Sequence, residues 1–265
     1  MILGGTRELE TRRGLKCRVR EWGAGRPLVY LHGALGLLEQ EPLLERLGEH
    51  FYVLAPEWPG YGAESTEDAL EDMLDFALHG WDVVTALRLE TPPVLIGHSM
   101  GGMIAAEMAC LAPQSVEQLV LISSAGLWLD AHPLPDPFAT LPVELAQLLF
   151  HDAGAGIKQL TGGLDFSDPK ALEQFLVRNA RRMGTAGKIL FPIPNRRLSK
   201  RLYRLSTPTL LLWGREDRFV PPVYATRFAE LIPGARLEWI DGAGHMVPLE
   251  QPEAAAESIL RFTGR

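Results

Sequence analysis

Cysteine is scarce in this chain. Its 265 residues include two, Cys17 and Cys110, with no Cys-x-x-Cys spacing, which argues against a disulfide scaffold and against a zinc site built on thiolates. Cys110 falls on a helical stretch behind a glycine-rich turn and reads as a small buried hydrophobe. A basic excess is missing too: 26 Lys and Arg stand against 33 Asp and Glu, a formal net charge of −7. Nucleic acid and anionic membranes are therefore poor partners. No apolar run approaches the length of a membrane span. The start, Met1-Ile2-Leu3-Gly4-Gly5-Thr6-Arg7-Glu8, shows no basic segment followed by an apolar core, so no signal peptide is expected. Repeats and low-complexity tracts are absent as well. These absences lead to the expectation of a cytoplasmic monomer or homodimer with a small-molecule substrate.

The length suits one large α/β domain, and the composition, 46 % hydrophobic and 22 % charged, is that of a globular chain. Apolar runs with strand character recur at 28–31, 52–55, 94–96, 119–122, 209–213 and 237–240. Helical patterns separate most of them. One is predicted over 66–89, with Leu70, Met73, Leu74, Ala77, Trp81, Val84 and Leu87 on one face and a capping start at Ser65 and Asp68. Another is predicted over 252–262, opened by Pro252 in its first turn. Such alternation implies a mostly parallel sheet covered by helices on both faces, and residues 15–22 add an antiparallel edge hairpin.

The alternation breaks once, over 124–207, which is too long for a crossover helix. Helices are expected there over 143–151 and over 169–183, the latter with Leu172, Phe175, Leu176 and Met183 as its apolar face. Gly154, Gly156, Gly162 and Gly163 break the stretch, and Pro192 and Pro194 close it. The expectation is an inserted helical lid on a core formed by 1–123 and 208–265.

The chemistry gathers around Gly97-His98-Ser99-Met100-Gly101-Gly102. An apolar strand precedes it and a helix follows, the context in which G-x-S-x-G places a serine on a sharp, strained turn. A serine hydroxyl needs a base within hydrogen-bond reach, and the base needs an orienting carboxylate. Among seven histidines, His245 stands in a glycine-rich loop after the final strand, at the sheet edge where sites of open α/β sheets form. His32 and His98 read as structural, and His50, His79, His132 and His151 as surface or core residues. Asp217 follows another strand at the same edge. Glu216 and Asp241 are its rivals, and the chain order Ser99, Asp217, His245 favours Asp217. Backbone N–H groups of Met100 and of Ala34, after the strand at 28–31, are the candidate oxyanion donors.

By these pieces the chain resembles the α/β-hydrolase superfamily, and more narrowly its lid-bearing esterases and carbon–carbon bond hydrolases. The matching motifs are His32-Gly33, Pro59-Gly60-Tyr61-Gly62, the run Gly97 to Gly102, Trp213-Gly214 through Asp217-Arg218, and Gly244-His245 through Glu250-Gln251-Pro252. The resemblance implies Ser99 as nucleophile, His245 as base, Asp217 as orienting acid, and Ala34 and Met100 as oxyanion donors. It implies neither a metal nor a cofactor. The carbon–carbon hydrolases of aromatic degradation usually carry tryptophan after the catalytic histidine and a serine- and glycine-rich turn after His-Gly. Here those places hold Met246 and Ala34-Leu35. Dehalogenases and epoxide hydrolases put an aspartate where Ser99 stands.

For the substrate, the apolar lid residues Leu127, Trp128, Phe138, Leu141, Leu148, Phe150 and Phe166 favour a hydrophobic compound. Leu35, His98, Leu127, Trp128 and Met246 are candidate contacts. A basic cluster, Arg178, Arg181, Arg182 and Lys188, then Arg196, Arg197, Lys200, Arg201 and Arg204, reads as a solvated face. The alternative is that one arginine, with Arg178 as candidate, grips a substrate carboxylate. The expected activity is hydrolysis of small to medium, mainly apolar carboxylic esters through an acyl-enzyme. The alternatives are carbon–carbon bond hydrolysis of diketone-type acids by the same triad, or a ligand-binding protein with little turnover.

Overall fold

The computed structural model describes residues 4–62, 66–161, 164, 167–190 and 197–265. Ser65, Gly162, Gly163, Phe166, Pro192, Pro194 and Arg196, all invoked above, lie outside them. Among the described residues eight strands form one sheet: β1 Gly5–Glu10, β2 Lys16–Trp22, β3 Pro27–Leu31, β4 Tyr52–Pro56, β5 Val94–His98, β6 Gln118–Ile122, β7 Thr209–Gly214 and β8 Arg236–Ile240. Their spatial order is β1-β2-β4-β3-β5-β6-β7-β8. From β4 to β8 every pairing is parallel, while β1, β2 and β4 pair antiparallel, so the expected edge hairpin is present.

Nine helices flank the sheet among the described residues: α1 Pro42–Leu47, α2 Met73–Leu87, α3 Met100–Leu111, α4 Pro142–Leu149, α5 Ala153–Thr161, α6 Pro169–Leu190, α7 Pro222–Leu231, α8 Val247–Glu250 and α9 Pro252–Thr263. Strand side chains alternate between the two faces. Val29, Leu31, Leu95 and Leu119 pack with α2, α3 and α7. Leu28, Tyr30, Val94 and Ile96 pack with α1 and α9. Burial on both faces explains why β5 and β7 read as unbroken apolar runs. Among the described residues no helix is long and apolar enough to cross a membrane.

Three local readings change. The helix expected over 66–89 starts later: Glu67–Ala69 make one 3-10 turn, Leu70 is extended, and α2 begins at Met73. Its cap is Asp72, whose side chain accepts the Asp75 N–H at 3.0 Å, in place of Ser65 or Asp68. The buried stripe is Phe76, Ala77, His79, Gly80, Val83 and Leu87, which leaves Leu74 52 % exposed. Arg88 adopts a left-handed conformation and ends the helix, so Leu89 falls outside it.

Between β6 and β7, α5 occupies a stretch read as glycine-broken. Asp152 starts it by accepting the N–H groups of Gly154 and Ala155. Gly156 is required there because a β-carbon would collide with the Phe150 ring. Helix α6 also runs on past Met183 to Leu190, burying Thr185, Ala186 and Ile189.

Candidate active site

Ser99 sits between β5 and α3 with φ 54° and ψ −115°, a conformation side chains resist. The surroundings over-determine it. A β-carbon at Gly97 would strike the Gly101 carbonyl, and one at Gly101 would strike the Leu31 carbonyl. Glycine at both lets α3 close on the sheet. The Ser99 N–H donates to Ile122 O at 3.0 Å, and its carbonyl accepts from Met103 and Ala125 at 3.1 and 3.0 Å.

Three side chains from three segments meet here. The Ser99 hydroxyl donates to His245 Nε2 at 2.8 Å. His245 Nδ1–H donates to Asp217 Oδ2 at 2.9 Å. Asp217 Oδ1 accepts the backbone N–H groups of Phe219 and Val220 at 2.9 and 2.8 Å, so both carboxylate oxygens are held. All three residues are buried. The rivals of Asp217 are engaged elsewhere. Glu216 accepts the Ala243 N–H at 3.1 Å, and Asp241 pairs with Arg215 at the surface. An arrangement of this kind can draw the proton from the serine as it attacks an electrophile.

The histidine loop is clamped by Leu149 and Glu250, for which the sequence suggests no such part, and by His98, read above as structural. Leu149, the last residue of α4, accepts the N–H groups of both His245 and Met246. Glu250 accepts the Gly244 N–H at 2.8 Å and the His151 N–H at 2.6 Å, and burial raises its carboxyl above the ordinary value. His98 Nε2–H donates to the His245 carbonyl at 2.9 Å. Burial, reinforced by the neighbouring His245, lowers His98 to about 3, so its ring stays neutral. Thus His98 both borders the site and holds the His245 loop.

The turn after β3 lies against the serine: a β-carbon on Gly33 would sit 3.3 Å from Ser99 Cβ. Gly36 N–H closes the turn on Gly33 O at 3.0 Å. Tyr61 donates to Ala34 O at 3.0 Å, and Arg182 of α6 to Leu35 O at 2.9 Å. His32 braces the same turn, its Nε2 accepting the Trp58 N–H and its Nδ1–H donating to Gly33 O. Burial lowers it to about 4. Met100 is the first residue of α3, where a helix offers backbone N–H groups without internal acceptors.

A cavity opens from Ser99. Of the candidate substrate contacts, Leu35, His98, Leu127 and Met246 line it, together with Leu134, Leu145, Leu149, Met183 and Phe219. Two candidates are elsewhere. Trp128 does not line the cavity, and its indole N–H donates to Asp130 Oδ1 at 3.0 Å. Arg178 borders a separate groove with Arg18, Arg20 and Glu57. Of the basic cluster, Arg201 pairs with the buried Glu107 and Arg204 donates to Cys110 O, both bracing α3. The helical repeat of α4 explains why Leu145 and Leu149 face the cavity, whereas Leu148 is not among its lining residues and Leu141, before the helix, is 65 % exposed.

The sequence model of the alpha/beta hydrolase family matches residues 28–258. The 2-hydroxy-6-oxo-6-(2'-aminophenyl)hexa-2,4-dienoic acid hydrolase of Metapseudomonas resinovorans is 26 % identical over 95 % of this chain and 89 % of its own length. Lipase 1 of Psychrobacter immobilis is also 26 % identical, over 90 % of this chain and 77 % of its own. Among solved structures, an esterase of Rhodococcus sp. ECU1013 superposes with a TM-score of 0.74 at 21 % identity, covering 98 % of each chain, a likeness of fold.

Proposed function

The chain belongs to the alpha/beta hydrolase family, and from that premise we propose that it is a serine carboxylesterase for small to medium, mainly apolar esters, acting in the cytoplasm. The observation that carries the proposal is the continuous hydrogen-bonded row from Ser99 Oγ through His245 to Asp217. Ser99 attacks the ester carbonyl while His245 Nε2 takes its proton, and Asp217 holds the resulting imidazolium. The N–H groups of Ala34 and Met100 receive the oxyanion; losing one such donor typically costs about 3–4 kcal/mol. His245 then returns the proton to the departing alcohol. Water, deprotonated by the same nitrogen, attacks the acyl-enzyme and releases the acid. Residues 124–207 serve as the lid, and Leu145, Leu149, Met183 and Leu190 from it wall the cavity.

A second reading, carbon–carbon bond hydrolysis of a diketone-type acid, is favoured by the relative from Metapseudomonas resinovorans. No arginine lines the Ser99 cavity among the described residues, and this weighs against an acidic substrate. A low-turnover binding role is the third. Ser99→Ala assayed on short-chain aryl esters and on vinylogous diketone acids decides among them. Ester turnover should fall by on the order of 10³-fold or more, and a fluorophosphonate should label only the parent protein. Near-parental turnover in the variant overturns the mechanism. An unlabelled parent with no turnover would favour the binding role.

A further inference from the structure

Five polar side chains line the Ser99 cavity among the described residues: Tyr30, Glu41, His98, Ser99 and His245. The last three bond one another or the histidine loop. Tyr30, on β3, and Glu41, just before α1, have no part in that chemistry. Both are buried, at 3 % and 4 % exposure. One carboxylate oxygen of Glu41 accepts the Leu38 N–H at 2.6 Å. Its other oxygen and the Tyr30 hydroxyl take no hydrogen bond within the described residues. Arg20, whose charge opposes the rise at Glu41, spends its guanidinium on the carbonyls of Leu38 and Glu39.

Polar groups that an apolar substrate covers without pairing are costly. Burial pushes the Glu41 carboxyl up to about 7, against the opposing Leu38 N–H and Arg20, with Glu45 adding slightly to the rise. Burial and then Glu41 itself raise the Tyr30 phenol well above its ordinary value, and both side chains line the same cavity. We infer that Tyr30 and Glu41 form a polar subsite in the Ser99 cavity that recognises a hydroxyl group on an otherwise apolar substrate. The inference rests on the esterase reading for the bond that is cleaved, and it supplies the substrate class. A hydroxyl fits both partners at once: its O–H donates to the free Glu41 oxygen, and its oxygen accepts from Tyr30. An anion would meet the Glu41 carboxyl in the same wall. A methyl group in the same place leaves both groups unpaired, the situation in which hydrogen-bonding sites discriminate most sharply.

The test compares kcat/KM for matched esters ending in methyl or in hydroxyl. One series varies the acyl chain of aryl esters, and the other uses butanoates of a straight-chain alkanol and of the corresponding terminal diol. The parent should prefer the hydroxylated member at least tenfold in one series. Glu41→Leu and, separately, Tyr30→Phe should each bring that ratio to about one. The ratio cancels any general loss of activity, and Tyr30→Phe leaves the Glu41–Leu38 bond at the start of α1 intact. A parental preference below threefold, or a preference that both variants keep, overturns the inference. Should Ser99 resist fluorophosphonate and no ester turn over, the esterase reading fails alone. The subsite is then read in Ser99→Ala by calorimetry with matched amides, where a hydroxyl should tighten binding at least tenfold, and equal affinities overturn it.

Discussion

The backbone N–H of His245 donates to the Leu149 carbonyl at 2.8 Å, and the N–H of Met246 shares the same oxygen at 3.1 Å. The last carbonyls of a helix lack internal partners, so the end of α4 is completed by the loop that carries the proposed base. The position of His245 is thereby set by a segment nearly a hundred residues earlier as much as by its own strand.

Glu250 closes the same joint. Glu250→Ala frees the N–H groups of Gly244 and His151. Stability should fall by about 1–3 kcal/mol, and kcat should fall roughly tenfold with little change in KM, because the proposed base, His245, shifts rather than the cavity wall. Glu250→Gln, which keeps an acceptor, should recover part of both. Urea unfolding with steady-state kinetics measures this, and a change confined to KM would contradict it.

His98→Phe keeps the ring volume but removes the donor to the His245 carbonyl. The buried acceptor left behind costs about 1–3 kcal/mol. Ester turnover should drop at least tenfold while fluorophosphonate still reaches Ser99 at a reduced rate. Unchanged turnover would show that His98 only fills space.

Gly101→Ala places a β-carbon into the Leu31 carbonyl. Neither backbone can yield without separating α3 from β3, so the loss should exceed about 3 kcal/mol. Soluble expression and thermal unfolding report it. A variant as stable as the parent would mean the helix can ride higher on the sheet.

His79 offers a pH test. It is buried on α2 with no hydrogen-bond partner for either ring nitrogen among the described residues, and burial lowers it from 6.5 to about 4, with Asp82 opposing and Arg13 reinforcing. The unfolded chain takes up the proton first as pH falls. Its contribution to stability is whole above about 6.5 and drains away toward about 4. At pH 5 the loss is roughly 2 kcal/mol relative to neutral pH. In His79→Leu the fall in unfolding free energy between neutral pH and pH 5 should shrink by about that amount. An identical pH slope in both proteins would mean His79 titrates normally.

What could be read from the chain was what is written locally. Ser99, Asp217 and His245 each follow an apolar strand and carry their own glycine or turn signals, so sheet topology alone brings them to one edge. Helix boundaries were harder. Asp72 and Asp152 start α2 and α5 through bonds to N–H groups two or three residues on, yet Ser65 and Gly154 offered competing local signals. Harder still were groups whose partners lie far along the chain. Glu250 reaches His151, Arg182 reaches Leu35, and Arg178, one helical turn from Arg182, borders the separate groove. Such pairings depend on how the inserted helices settle on the core, and spacing along one helix does not encode that.

The two cysteines have a practical consequence. Burial pushes both thiols up to about 12, and it is the thiolate that reacts. Alkylating reagents at neutral pH will find the folded protein chemically silent. A cysteine introduced in place of Leu176, which is 55 % exposed on α6, would then be the sole reactive handle. A fluorophore or spin label there can follow the inserted helices through turnover without first stripping the chain of its own sulfur.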